Sequence, residues 1–170
     1  KMLNFAHGDV IMIGGYVTYI AMSSLGLPAW VAVLLSVIVC TVLGILIEKV
    51  AYRPLREAAS SLAVLITAIG VSYLLQNVAL LIFGSAPKSF TSVVSVPALT
   101  FAGGRLTISG ETIVTIASCI VVMTALTLFI NKTKAGQAML AVSEDKGAAK
   151  LMGINVDATI ALTFAIGSGL

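Results

Sequence analysis

Charge is scarce in this chain. Only 10% of its 170 residues are Asp, Glu, Lys or Arg, while 59% are hydrophobic and the mean hydropathy is +1.10. A soluble domain carries roughly 25% charged and about 45–50% apolar residues. One core in a chain of this size does not hide such a surplus, so the excess faces lipid. The basic balance is slight, 10 Lys and Arg against 7 Asp and Glu, and it lies in loops rather than on one face. That placement excludes nucleic-acid binding and points to membrane orientation. Two cysteines, Cys40 and Cys119, both sit inside apolar runs, which excludes a disulfide framework and reads as buried thiols. The single histidine, His7, has no second His and no Cys at ligand spacing, so no metal site is expected. One His and scattered acids make no catalytic constellation, no cofactor is implied, and the chain does not read as an enzyme. Polar groups interleaved through Lys1–Asp9 argue against a cleavable signal peptide. A start at Lys1 and a stop inside an apolar run at Leu170 are what a fragment lacking both ends would show.

What the chain has instead is long apolar runs. They cover about residues 4–22, 27–47, 62–83 and 112–130, with a fifth opening at 158 and cut off at 170. A run of 21 residues is about 31 Å long as a helix, matching a ~30 Å hydrocarbon core. The expected fold is all-α, a polytopic integral membrane helix bundle forming part of one transmembrane domain over residues 1–170.

The loops orient it. Glu48–Ser61 holds Lys49, Arg53 and Arg56, and Asn131–Asp157 holds Lys132, Lys134, Lys146 and Lys150, whereas Gly84–Glu111 holds only Lys88 and Arg105. Alternating spans put the two richer loops on one side, the cytoplasmic one. In the outer loop, Leu99 and Phe101 alternate before Gly103-Gly104, and Leu106 and Ile108 alternate after it. That pattern signals a small extracellular hairpin, with an ordinary capped loop as the alternative.

Small residues show where spans meet, because lipid supplies no hydrophobic drive between helices. Ala32, Ser36, Cys40 and Gly44 recur every fourth residue as one narrow packing seam. In the third span, Ala63, Thr67, Gly70 and Asn77 share one face while Ser72 and Gln76 lie opposite. Polar groups on both faces describe a central helix, surrounded by protein or bordering a wet cavity. Gln76 and Asn77 either touch substrate or make interhelical hydrogen bonds.

The polar start of the first span is the richest intramembrane feature. Asn4, His7, Gly8, Gly14, Gly15 and Thr18 share an arc of about 120°, and Asp9 lies outside it. A carboxylate facing lipid is costly, so a helix broken near Gly8, or an interfacial position for Asn4–Asp9, is expected; broken helices often build membrane substrate sites. Two readings stay open: a substrate pathway, or an interfacial His7 satisfying a carbonyl with Asp9 capping a helix end.

The loop 131–157 also carries helix punctuation. Ser143 suits an N-cap, Glu144 and Asp145 the first turn, Lys150 the last turn, and Gly153 the position just past the end. A nine-residue helix, Glu144–Met152, of about 14 Å is predicted. Asp157 can cap the final span. Ala148, Ala149, Leu151 and Met152 exposed together would make a docking knob for a soluble partner, beyond what a solvated surface helix requires.

These residues carry a resemblance. Asn4-Phe5-Ala6-His7-Gly8-Asp9 with Ile13-Gly14-Gly15-Tyr16-Val17 resembles the N-F-A-H-G-[DE] and I-G-[AG]-Y signatures of branched-chain amino acid ABC-transporter permeases. Glu48-Lys49-Val50-Ala51-Tyr52-Arg53-Pro54-Leu55-Arg56, Leu65 to Ser72, Ala141 to Asp145, Leu151 to Asn155 and Ile160 to Phe164 match in order, nearest to the first of the two paired permease subunits. The resemblance implies a permease subunit of an ATP-driven importer of branched-chain, hydrophobic amino acids in a bacterial or archaeal inner membrane. It implies a second related permease, two cytoplasmic ATPase subunits and an extracytoplasmic substrate-binding protein as partners. The chain has no G-x-x-x-x-G-K-[ST], so ATP hydrolysis belongs to those partners. Importers of urea or short amides are similar, and an ion-coupled secondary carrier is the competing class. Asn4, His7, Gly8, Asp9, Thr67 and Asn77 are expected on the substrate pathway. Ala148-Ala149 to Gly153 correspond to the A-A-x-x-x-G part of the coupling loop, with Glu144 and Asp145 supplying acid upstream; Gly147 stands where the general motif has Glu.

Overall fold

The structure is a computed structural model that describes residues 6–55, 61–89, 97–101 and 106–170. Helix α1 spans His7–Ser23. It ends where Gly26, at φ +60°, lets the Leu27 N–H reach back to the Ala21 carbonyl at 2.9 Å. Pro28 then opens α2, Ala29–Ile47, its carbonyl accepting from Val31 at 3.0 Å and Ala32 at 3.1 Å. Beyond Ile47 the helix widens into a π-helical turn, Glu48–Tyr52, closed by Arg53 N–H donating to Glu48 O at 2.8 Å. Helix α3 is Ser61–Phe83 and α4 is Gly110–Lys132. Helices α5, Lys134–Glu144, and α6, Lys146–Leu151, precede α7, Val156–Gly169.

The all-α membrane helix bundle expected from composition is the observed class. Ala29–Tyr52, Leu62–Phe83 and Gly110–Lys132 are each long and apolar enough to cross a membrane, and Val156–Gly169 is a shorter apolar helix. Between α3 and α4, strands β1 (Leu99–Phe101) and β2 (Leu106–Ile108) pair antiparallel with Leu99 opposite Ile108 and Phe101 opposite Leu106. The alternating residues thus form the hairpin ladder; the Gly103-Gly104 turn lies outside the described residues.

Helix α2 is the hub, packing against both α1 and α7, which also touch each other. Its small-residue seam serves both. Ser36 Oγ donates to Gly14 O at 2.9 Å and Cys40 Sγ to Val10 O at 3.5 Å, which clamps α1. Gly44 lies against α7, where a Cβ would overlap Ser168 Oγ and sit 3.0 Å from Phe164 O. These contacts make α1 and α7 antiparallel to α2. Val10, Cys40, Ile47, Tyr52, Ala68 and Leu75 form the main buried cluster, and Val142, Ala149 and Ile160 a second one. Phe164 of α7 touches both clusters, and its ring lies 5.2 Å from that of Tyr52.

Three expectations need correcting. Helix α3 is not central: it packs on α1 and the π-helical turn, and most of its outer surface is exposed. It is long and apolar enough to cross a membrane, and its buried residues among those described, Ala68, Leu75 and Ala79, share one face. Cys119 is exposed on α4 rather than buried. Helix α1 is unbroken at Gly8.

Candidate functional site

The unbroken α1 carries Asp9 inward, where it is 9% exposed. The cost of burying a carboxyl among apolar helices is offset by α3. Gln76 Nε2 donates to Asp9 Oδ1 at 2.9 Å, the Ser72 hydroxyl donates to Oδ2 in a very short hydrogen bond, and Gln76 also bonds Ser72 at 3.1 Å. Ser72 and Gln76 are four apart and so lie on one helical face. Farther along the same interface the rings of Tyr16 and Phe83 stack at 4.1 Å, so α1 and α3 run parallel. Stripping a buried polar group of its partner costs about 1–3 kcal/mol, which makes this triad the principal polar tie between the two helices.

Of the expected pathway residues, Asp9 alone is drawn into this triad. His7 and Gly8 are exposed on α1, and Asn4 lies outside the described residues. Thr67 Oγ1 donates to Ala63 O at 2.9 Å and Asn77 Nδ2 to Tyr73 O at 2.7 Å, each within α3. Ser72 and Gln76 were readable as a polar pair on one face, yet a wheel of one helix does not name its partner on another. Among the described residues no three His, Cys, Asp or Glu side chains gather to hold a metal.

The second polar region lies at the end where the two basic loops meet. Arg53, just past the π-helical turn, pairs with Asp157 of α7 at 3.1 Å. The predicted helix Glu144–Met152 is replaced by two helices meeting at Asp145. Ser143 is not the cap: its Oγ donates to Leu140 O at 2.8 Å inside α5. Asp145 takes that role, Oδ1 accepting from Gly147 N at 2.7 Å and Ala148 N at 3.1 Å. Asp157 does not cap α7 either; Asn155 Oδ1 accepts from Ala158 N at 3.1 Å. The end of α6 is a Schellman turn: Gly153, at φ +82°, donates to Lys150 O at 3.1 Å and Ile154 to Ala149 O at 3.0 Å. Both ends of α6 are therefore held by local bonds.

The face of α6 also differs from the expected one. Ala149 is 3% exposed and packs with Val142 and Ile160, while Leu151 is 90% exposed and Met152 82%. Glu144, Asp145 and Ala148 are exposed beside them. The sequence reading missed α5. Thr133 begins it by accepting from Gly136 N at 3.0 Å, and Gly136 permits the tight approach, since a Cβ there would run into the Ile130 backbone.

Comparison with known proteins places this architecture. A protein family described as branched-chain amino acid transport system / permease component matches residues 1–170. The chain is 40% identical over 182 residues to the high-affinity branched-chain amino acid transport system permease protein BraD of Pseudomonas aeruginosa. It is 39% identical over 186 residues to LivH of Salmonella typhimurium, and 36% over 182 residues to LivH of Escherichia coli K12, both described in the same terms. Each alignment covers 99% of this chain and 58% of the relative, so the chain spans little more than half the length of these relatives. No solved structure matches. With its apolar helices and its match across every residue, the chain belongs to the family of permease components of branched-chain amino acid transport systems.

Proposed function

We propose that this chain is part of the membrane-spanning permease of an ATP-driven importer for leucine, isoleucine and valine, a multi-pass protein of the bacterial or archaeal inner membrane. The observation that carries the reading is the family match over residues 1–170. Residues 1–170 form part of one transmembrane domain, with loops 48–61 and 131–157 in the cytoplasm and the hairpin outside. A second related permease completes the pathway, two cytoplasmic ATPase subunits drive it, and an extracytoplasmic binding protein delivers substrate. The chain itself carries substrate and hydrolyses nothing.

Two regions divide the work. Asp9, held by Ser72 and Gln76, anchors the pathway wall to which Asn4, His7, Gly8, Thr67 and Asn77 contribute. Helix α6 receives the ATPase: Asp145 and Gly153 fix its ends, Ala149 roots it, Glu144 and Ala148 flank it, and Leu151 and Met152 present its apolar tip. A push on that tip reaches α7 through Ala149 and Ile160, then the π-helical turn that follows α2 through Phe164 and Tyr52; the packing of these side chains supports that route.

The test is reconstitution of the full permease pair with its ATPases and binding protein in liposomes. ATP-dependent leucine uptake is expected. Uptake that persists when the ATPases are catalytically dead would mean an ion-coupled carrier, and uptake of urea or short amides without leucine would overturn the substrate assignment.

A further inference from the structure

Where the π-helical turn faces α6 and the start of α7, the chain encloses a cleft of 910 Å³. Lys49, Arg53, Lys146 and Lys150 line it, with Asp157 as its single acid. Arg53 and Asp157 answer each other at 3.1 Å. Among the described residues, Lys49, Lys146 and Lys150 have no ion-pair partner. The neighbouring acid Asp145 directs Oδ1 to the backbone of Gly147 and Ala148. Three lysines around one concave space repel one another and create a field that favours an anion.

The position of the cleft selects among anions. Helix α2 has no charged residue from Ala29 to Ile47, so Lys49 and Arg53 are the first cations past a membrane-length apolar run. Cations at that height stand level with lipid headgroups, and basic pockets between spans on the cytoplasmic side suit anionic headgroups. Ile154 and Val156 line the same cleft and offer apolar surface to the glycerol end of a lipid. The volume falls in the roughly 300–1,000 Å³ range of small-molecule sites. Leu151 and Met152 do not line it, so an occupant leaves the exposed tip of α6 open.

We propose that this cleft binds the phosphate of an anionic phospholipid headgroup through Lys49, Lys146 and Lys150. The bound headgroup ties the end of α2 to α6. The proposal rests on the cytoplasmic placement of these loops in the reading above.

The experiment uses the full permease in nanodiscs and in detergent, with native mass spectrometry and lipid titration. Phosphatidylglycerol is expected to be retained over phosphatidylcholine. Each substitution Lys49→Gln, Lys146→Gln or Lys150→Gln should weaken retention about fivefold, and all three together on the order of 100-fold. The matching triple Lys→Arg variant should keep it. If the triple Gln protein does not fold, the single variants read the same effect. Unchanged retention in the Gln variants overturns the proposal. Full displacement of the lipid by inorganic phosphate alone overturns it in favour of free phosphate. Retained lipid with lost co-purification of the ATPase overturns it in favour of an acidic partner segment. The underlying orientation is read separately: labelling of Met152→Cys from outside sealed cells sinks that reading, whereas inside-only labelling with unchanged lipid retention sinks the cleft alone.

Discussion

Helices α2 and α4 are alike in length and apolarity, yet they occupy opposite situations. Both belong to segments of membrane-spanning length, 24 and 23 residues, but 22% of the apolar stretch of the first is buried and none of that of the second. The difference lies in where the small residues fall. Ala32, Ser36, Cys40 and Gly44 repeat along one line of α2, so neighbouring backbones approach on that line. Helix α4 scatters Ala117, Ser118 and Ala125, and its Thr115, Thr124 and Thr127 hydroxyls turn back onto carbonyls of their own helix. Hydrophobicity decides that a helix enters the bilayer; the spacing of small side chains decides what it touches there.

The largest expected effect comes from filling the seam. Gly44→Leu drives a side chain into Ser168 and Phe164, and should destabilise the full protein by about 3 kcal/mol, the upper end of ordinary overpacking. A lowered midpoint in a detergent thermal-melt assay checks it; a wild-type midpoint would mean that α2 and α7 do not pack there. A smaller loss, about 2 kcal/mol, is expected for Asp9→Ala, which leaves Ser72 and Gln76 without their acceptor. That variant asks whether polar bonds hold α3 where small residues do not. A double-mutant cycle with Gln76→Ala should show coupling of about 0.5–3 kcal/mol, and simple additivity would dissolve the triad. The smallest effect is expected on α4. Ala125 is exposed, so Ala125→Leu should change stability by less than about 0.5 kcal/mol. A loss as large as that of Gly44→Leu would show that another part of the full protein covers α4 and would erase the contrast.

Much of the bundle was legible from residue spacing. The α2 seam needs only a four-residue period, and the hairpin only the alternation of Leu99, Phe101, Leu106 and Ile108. What escaped depends on choices between near-equivalents or on partners far along the chain. Ser143 and Asp145 both suit an N-cap, and the structure prefers Asp145, whose carboxyl reaches two N–H groups while Ser143 is satisfied within α5. Thr133 and Gly136 look like loop residues, yet they begin a helix. The bond from Asp9 to Ser72 and Gln76 crosses more than sixty residues, and no local pattern announces it. The awkward Asp9 carboxyl called for a helix broken near Gly8 or an interfacial position for residues 4–9; the helix is unbroken, and Ser72 and Gln76 of a neighbouring helix hold the carboxyl.

The π-helical turn at the end of α2 has a directional consequence. Its Arg53-to-Glu48 bond closes a loop one residue longer than an α-helical turn. One residue is about 100° of rotation. A helical wheel drawn through α2 therefore loses its bearing at Glu48, and every side chain beyond is turned relative to the seam that holds α1 and α7. The extra residue works as an angular offset: it lets the buried stretch keep the facing its small residues require, while Arg53 meets Asp157 on an axis set independently.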